Sequence, residues 1–287
     1  MKRTIQAAWL ALQENLSSPR LQREPEPTAE MSVPGSVQAF HAQGSDAGAL
    51  LGIYHFNALQ VHALAPEGAI VVDLGCGSGQ CLGYMARRRP DLHFVGFDLS
   101  SQMVDVGNAA LRAEGLAARV ELRVGDMTSF FAQVSGRVQV VTSIFSLHHL
   151  PTAEHLQACL RDIERLRLEH GAALWVFDHA RPRRRVTAER FPTVFTPAAR
   201  PEFKADSTNS LIASWSFEEL RKALTESCGV EVQSFQARIL RLYQVHWVPG
   251  HSLNVSSDRL WRGAESVPRA MSRDAERLAS LFRKLPG

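Results

Sequence analysis

The 287-residue chain has few of the features that mark specialised proteins. It holds four cysteines, Cys76, Cys81, Cys159 and Cys228, and no two stand in a C-x-x-C pair. That spacing argues against a thiolate zinc site, and no metal centre is expected. No run of about 18 apolar residues occurs, so no membrane span and no membrane partner are expected. The opening MKRTIQAAWLALQENL lacks the uninterrupted apolar stretch and small-residue cleavage site of a secretory signal. These absences together lead us to expect a reduced, cytoplasmic protein. Charge of one sign is also lacking: Lys and Arg number 32 against 29 Asp and Glu, a net +3. That balance gives no cause to expect a nucleic-acid partner.

What is present is an alternation of apolar runs with helical patterns. AIVVDL, HFVGFDL, RVELRVGD, VQVVTSIF and AALWVFD read as strands, with helices between them stopped by Pro90 and Gly115 or capped by Thr152. Continuous apolar strands joined by helices imply a mostly parallel sheet covered on both faces. Residues 4–16 read as an amphipathic helix and SSPRLQREPEPTAE as a linker or loosely held arm. Residues 46–65 read as an apolar helix. Four prolines between 180 and 215 mark an insertion or lid, and Ser216 to Glu219 form a capping box. VEVQSFQARIL and LYQVHWV follow as two strands, and the tail from Ser266 as a basic amphipathic helix. We divide the chain into an arm at 1–45, a main domain at 46–250 with its lid at about 180–215, and a helical tail at 251–287.

The densest signal is VVDLGCGSG, residues 71–79. Glycines at 75, 77 and 79 free the backbone for a tight turn and for close approach of a ligand, which then meets the N-terminus of the next helix. A dinucleotide fingerprint needs its third glycine at position 80, where Gln80 stands, and the phosphate loop's lysine is missing. Asp73 would repel a diphosphate and suit a ligand carrying an ammonium group.

This stretch resembles the first motif of class I S-adenosylmethionine (SAM)-dependent methyltransferases. Three further stretches fall in the order that family has them. FVGFDLS places Asp98 19 residues after Gly79, VELRVGDMTSF carries Asp126 and Met127, and VQVVTSIFSLHHLP ends the fourth strand. The resemblance is to the small-molecule, ubiquinone/menaquinone-type branch and covers roughly residues 68–178. It implies an α/β, Rossmann-like seven-stranded sheet, mostly parallel with a C-terminal antiparallel hairpin and helices on both faces. It also implies SAM as cofactor and S-adenosyl-L-homocysteine (SAH) as product. The implied cofactor contacts are Asp73, Gly75, Cys76, Gly77, Gly79, Asp98, Leu99, Met103, Asp126, Met127, Ser143 and Phe145, with Asp98 on the ribose and Asp126–Met127 on the adenine.

Catalytic candidates lie where such a fold opens its acceptor pocket: His148 after the fourth strand, His179 after the fifth, and Tyr54 ahead of the sheet. His149 and Asp178 are weaker candidates. Tyr54, Phe56, Phe145, Phe195, Phe203 and Trp215 are available to wall that pocket. No [DN]PP[YF] follows the fourth strand, no cysteine follows a proline and no Asp-Asn pair ends the fifth strand, which disfavours amine-directed, C5-pyrimidine and metal-dependent catechol types. The expected activity is therefore metal-independent methyl transfer to N, O, S or C of a small molecule, by a chain whose amphipathic ends could pair two copies as a homodimer. A peptide or protein methyltransferase and a non-catalytic SAM-binding module are the alternatives, and the arginines at 181 and 183–185 hint at an acidic acceptor.

Overall fold

A computed structural model describes residues 2–27, 50–251 and 269–282. Its centre is a seven-stranded sheet: β1 (Ile70–Leu74), β2 (His93–Asp98), β3 (Val120–Val124), β4 (Val140–Ile144), β5 (Ala173–His179), β6 (Gln233–Gln236) and β7 (Tyr243–Val248). Their order is β3-β2-β1-β4-β5-β7-β6. The first five strands are parallel, and β7 runs antiparallel to both β5 and β6. This is the expected fold, closing hairpin included.

Strand alternation splits the core between two faces. Val71, Trp175 and Phe177 point to one face, where they pack with Phe56, Leu82 and Phe94. Val72, Leu74, Leu174 and Val176 point to the other, against Leu160, Ile163 and Leu220. The first face is covered by helices α2 (Leu51–Leu64), α3 (Gln80–Arg88), α4 (Ser101–Ala113) and α9 (Arg269–Phe282), the second by α5 (Ala153–His170) and α8 (Phe217–Cys228). α2 is apolar nearly all round because it is sandwiched: Phe56 lies against Trp175 and Phe177 on one side and stacks on Phe282 on the other. Its Asn57 accepts a hydrogen bond from Trp175 Nε1 at 2.8 Å, so the buried indole is satisfied.

Helix ends follow the sequence cues. Ser100 and Thr152 cap α4 and α5, and Ser216 with Glu219 forms a complete capping box on α8. The segment expected as an insertion or lid, 180–215, holds two helices, α6 (Arg185–Phe195) and α7 (Pro201–Ala213), called the lid below. Residues 28–49 and most of the tail before α9 lie outside the described residues, so the expected start of α2 near 46 is not addressed. No helix among the described residues is long and apolar enough to cross a membrane.

The segment after α1 (Lys2–Leu16) differs from the loose arm expected. Arg23 donates to the backbone carbonyls of His148, Leu150, Pro151 and Ala213, with its guanidinium 3.7 Å over the Trp215 ring. The arginines read as a hint of an acidic acceptor instead fasten this strap and its neighbours. Arg183 donates to the carbonyls of Asn15 and Ser17, Arg185 pairs with Glu24, and Arg181 pairs with Glu219. Pro25 after Glu24 and Pro27 after Glu26 keep both glutamates extended, which lets the strap's backbone follow the lid.

Candidate active site

The strand order reverses between β1 and β4, and open α/β sheets bind ligands at such a switch. A cavity of about 310 Å³ lies there. One half is floored by Asp73, Gly75, Cys76, Gly77, Ser78, Asp98, Leu99, Met103 and Met127; the other half is walled by the lid.

The glycine corner is built as its spacing suggests. Gly75, Gly77 and Gly79 have φ of 69°, 56° and 66°, values that side chains disfavour. A Cβ on Gly75 would sit 2.4 Å from the Ser146 Cβ, because β4's following loop packs directly on the turn. Asp98, at the end of β2, fixes the corner: its carboxylate accepts the Gly77 N–H at 2.7 Å and the Ser100 N–H at 2.9 Å. Asp73 is buried in the middle of the sheet, opposite Gly96 and Thr142, and accepts the Thr142 hydroxyl at 2.6 Å. Burial pushes its carboxyl up to about 7, with the nearby Asp98 charge adding to the rise and the Thr142 hydrogen bond opposing it. A group so placed gains from a cationic ligand.

The other expected cofactor contacts divide. Cys76, Leu99, Met103, Met127 and Phe145 line the cavity. Gly79 stands behind it as the N-cap of α3. Asp126 is exposed and turned to its own loop, accepting the Thr128 N–H and hydroxyl at 2.8 Å each. Ser143 is buried beneath the corner, bonded to Ser146 Oγ at 2.6 Å. Serine at 143 therefore supports the loop from below.

The parallel pairing of β4 and β5 brings Asp178, at the end of β5, beside His148 in the loop after β4. Asp178 accepts three hydrogen bonds: from His148 Nδ1 at 2.6 Å, from the His148 backbone N–H at 3.1 Å and from the His179 N–H at 2.7 Å. Burial opposes ionisation of both partners. The mutual attraction outweighs it, lowering the Asp178 carboxyl and raising the His148 imidazole. With Nδ1–H committed to Asp178, Nε2 is the ring atom left to face the cavity.

His179 lies beside this pair, ring centroids 5.8 Å apart, but is of another kind. It stacks on Phe145 at 4.4 Å and on Tyr243 at 5.4 Å, and burial with the His148 charge lowers it to about 3. It is a neutral wall. Phe145 itself adopts a φ of 56°, rare for an aromatic residue, at the point where the chain must turn from β4 into the histidine loop. Tyr54 reaches the cavity from α2, its hydroxyl held protonated by burial.

The lid supplies Phe191, Phe195, Thr196, Phe203, Asp206, Ser207 and Ser210, and β7 supplies Tyr243. Sequence reasoning singled out Phe195 and Phe203 but missed Asp206, Ser207, Ser210 and Tyr243, which lie far along the chain and carry no motif. Phe56 and Trp215, also expected to wall a pocket, do not line it: Phe56 is core and Trp215 donates to the Leu147 carbonyl behind the histidine loop.

Residues 71–171 match a family described as a methyltransferase domain. The chain is 34% identical over 113 residues to the mouse tRNA (carboxymethyluridine(34)-5-O)-methyltransferase ALKBH8, covering 38% of this chain and 14% of that protein. It is 27% identical over 143 residues to the Saccharomyces cerevisiae tRNA (carboxymethyluridine(34)-5-O)-methyltransferase, covering 49% of this chain and 47% of that one. The chain thus spans less than half the length of either relative. In three dimensions it resembles the plantazolicin methyltransferase BamL, solved with a desmethylplantazolicin analogue and SAH. The TM-score is 0.56 at 17% identity, over 96% of this chain and 90% of that one.

These relatives correct one expectation. A small-molecule acceptor was expected from absent motifs and no nucleic acid from a balanced overall charge, yet these two relatives are named for acting on tRNA. Net charge averages over the surface and cannot see a local contact. Nor do those relatives represent the ubiquinone/menaquinone-type branch. The fold, the glycine corner and the matched segment agree on the rest: the chain carries a SAM-dependent methyltransferase domain of the class I fold, with SAM as its cofactor.

Proposed function

We propose that the protein transfers a methyl group from SAM to an acceptor that gives up a proton to His148. The observation that carries this reading is the Asp178-backed His148, whose cavity-facing Nε2 opens on the same space as the glycine corner. Bound SAM supplies an electrophilic methyl group on a sulfonium. The chain's own residues do the rest. Asp73 offers a carboxylate to the ammonium end of the cofactor, and Asp98 offers oxygens to its ribose hydroxyls. The glycine turn lets the backbone close on it without a Cβ in the way.

The lid orders the acceptor. Phe191, Phe195 and Phe203 form an apolar wall on which a flat ring can stack, while His148 takes the proton released as the new bond forms. Asp178 holds the imidazole in the tautomer that accepts at Nε2, and steadies the imidazolium that results. Neutral His179 and Phe145 exclude water on the opposite side.

For the acceptor, the reading we favour is an O–H or ring N–H of a nucleoside carried on RNA. The tRNA relatives support the carrier and the aromatic lid supports a planar ring. Exposed arginines on the strap and lid, Arg20, Arg190 and Arg200, are available to RNA phosphates. Asp206, which lines the same cavity, is unsuited to a carboxylate acceptor, so the carboxymethyl group named for those relatives is not the group we assign here.

The test is transfer of labelled methyl from SAM into RNA, peptide and free-nucleoside pools. Label in RNA, lost with His148→Asn while SAM still binds, supports the reading. Label only in peptides overturns the carrier, and unchanged transfer by His148→Asn overturns the base.

A further inference from the structure

We propose that Glu26, His148 and His149 form a binding site for one divalent transition-metal ion, which pins the N-terminal strap to the catalytic loop. A Glu26 carboxylate oxygen lies 3.1 Å from His149 Nδ1, and its other oxygen lies 3.8 Å from His148 Nε2. The three ligand atoms all fall within 4.8 Å of one another. Ligands on a tetrahedral zinc, each about 2.0 to 2.1 Å from the metal, stand roughly 3.3 Å apart. The cluster needs only side-chain adjustment to reach that spacing.

Three independent features support a metal over a mere ion pair. The first is the donor set: two imidazoles and one carboxylate suit Zn²⁺, Co²⁺ or Ni²⁺ and not Mg²⁺ or Ca²⁺. The second is the shell behind it. Metal-bound histidines usually donate their other ring N–H to a carboxylate, and His148 Nδ1 already bonds Asp178 at 2.6 Å. The third is a second carboxylate on the cavity side: Asp206, next to Ser207 and Ser210, lies near enough to Glu26 that the two negative charges repel. A cation between them relieves that repulsion.

The strap delivers Glu26 with precision because Arg23, three residues earlier, is fixed by four backbone carbonyls, one of them that of His148 itself. Ser210 Oγ, from the lid, donates to Glu26 at 2.7 Å. Strap, lid and catalytic loop therefore meet at one point. A metal on His148 Nε2 occupies the lone pair that would take the acceptor's proton, so the loaded site is inhibitory. That consequence rests on the proposed role of His148, while the binding itself does not.

The experiment is Zn²⁺ titration of the full chain against a chromophoric chelator, with Co²⁺ as a spectroscopic probe. One equivalent is expected to bind, and Glu26→Gln and His149→Ala are each expected to weaken it at least tenfold. Asp178→Asn should weaken it by about 10- to 100-fold. A SAM-induced rise in melting temperature in each variant shows that it is folded. No stoichiometric binding, or binding unchanged by both Glu26→Gln and His149→Ala, overturns the site. If the site fails and His148→Asn still abolishes methyl transfer, the proposed function stands without it.

Discussion

If Asp73 holds the ammonium end of SAM as proposed, the protein's grip on its cofactor depends on pH. Its carboxyl is held up to about 7, so at pH 5.5 roughly 3% of molecules carry the charge that the SAM ammonium needs. Against the fully ionised protein, affinity should then fall roughly 30-fold, about 2 kcal/mol at 1.36 kcal/mol per pH unit. Above about pH 8 the cofactor's own amino group deprotonates and affinity falls again. The account thus predicts a bell with its top between about 7 and 8. Binding near pH 6 should also release close to one proton, visible by calorimetry in buffers of different ionisation enthalpy. In the free protein the sign is opposite. The folded state keeps the Asp73 proton to about pH 7 while the unfolded chain loses it near 3.8, so this group withdraws stability as pH rises across that window. Asp73→Asn should bind SAM weakly and show no acid limb. A flat affinity from pH 5.5 to 7 in the wild type, or an unchanged acid limb in Asp73→Asn, would refute the reasoning.

Other perturbations follow from the packing. Gly107→Ala, a change that favours an isolated helix, should here cost about 1 to 3 kcal/mol, because the new Cβ would lie 2.6 Å from the Ser78 carbonyl oxygen; chemical denaturation reads it, and weaker SAM binding should accompany it. Asp178→Asn strips a buried imidazole of its charged partner and should destabilise by about 3 kcal/mol while lowering methyl transfer, as denaturation and activity assays would show. Arg23→Ala should free the strap, seen as faster proteolysis within residues 17–27, with a smaller change in global melting. Binding to RNA should weaken steeply with salt, and Arg190→Ala or Arg200→Ala should flatten that slope.

The glycine corner was legible in the sequence because its parts are local. One strand, one turn and one helix N-terminus carry Asp73, Gly75, Gly77 and Gly79, and their spacing separates a SAM corner from a pyrophosphate loop. The acceptor half is assembled from distant pieces. His148 and Asp178 are 30 residues apart, and only the pairing of β4 with β5 shows that an acid at the end of one strand orients a base in the loop after the other. Both were noticed singly, yet Asp178 read as a strand end. Asp126 sits at the family's position, and there one of its carboxylate oxygens accepts from the Thr128 N–H and hydroxyl. The strap could not be read at all. Prolines and charges look alike in a free linker and in a segment held by arginines that bond to backbone carbonyls. The acceptor class was misread for a related reason, since recognition surfaces depend on where charges cluster and not on their sum.

The central claim is that one cavity joins a SAM site to the His148–Asp178 base, and single-turnover transfer tests it most directly. Wild-type protein and His148→Asn would be loaded with methyl-labelled SAM and mixed with a tRNA pool. The account predicts labelled RNA from the wild type, a loss of about 10²- to 10⁴-fold in the variant, and the same SAM affinity in both. Equal rates from the two proteins, with SAM bound equally, would contradict it.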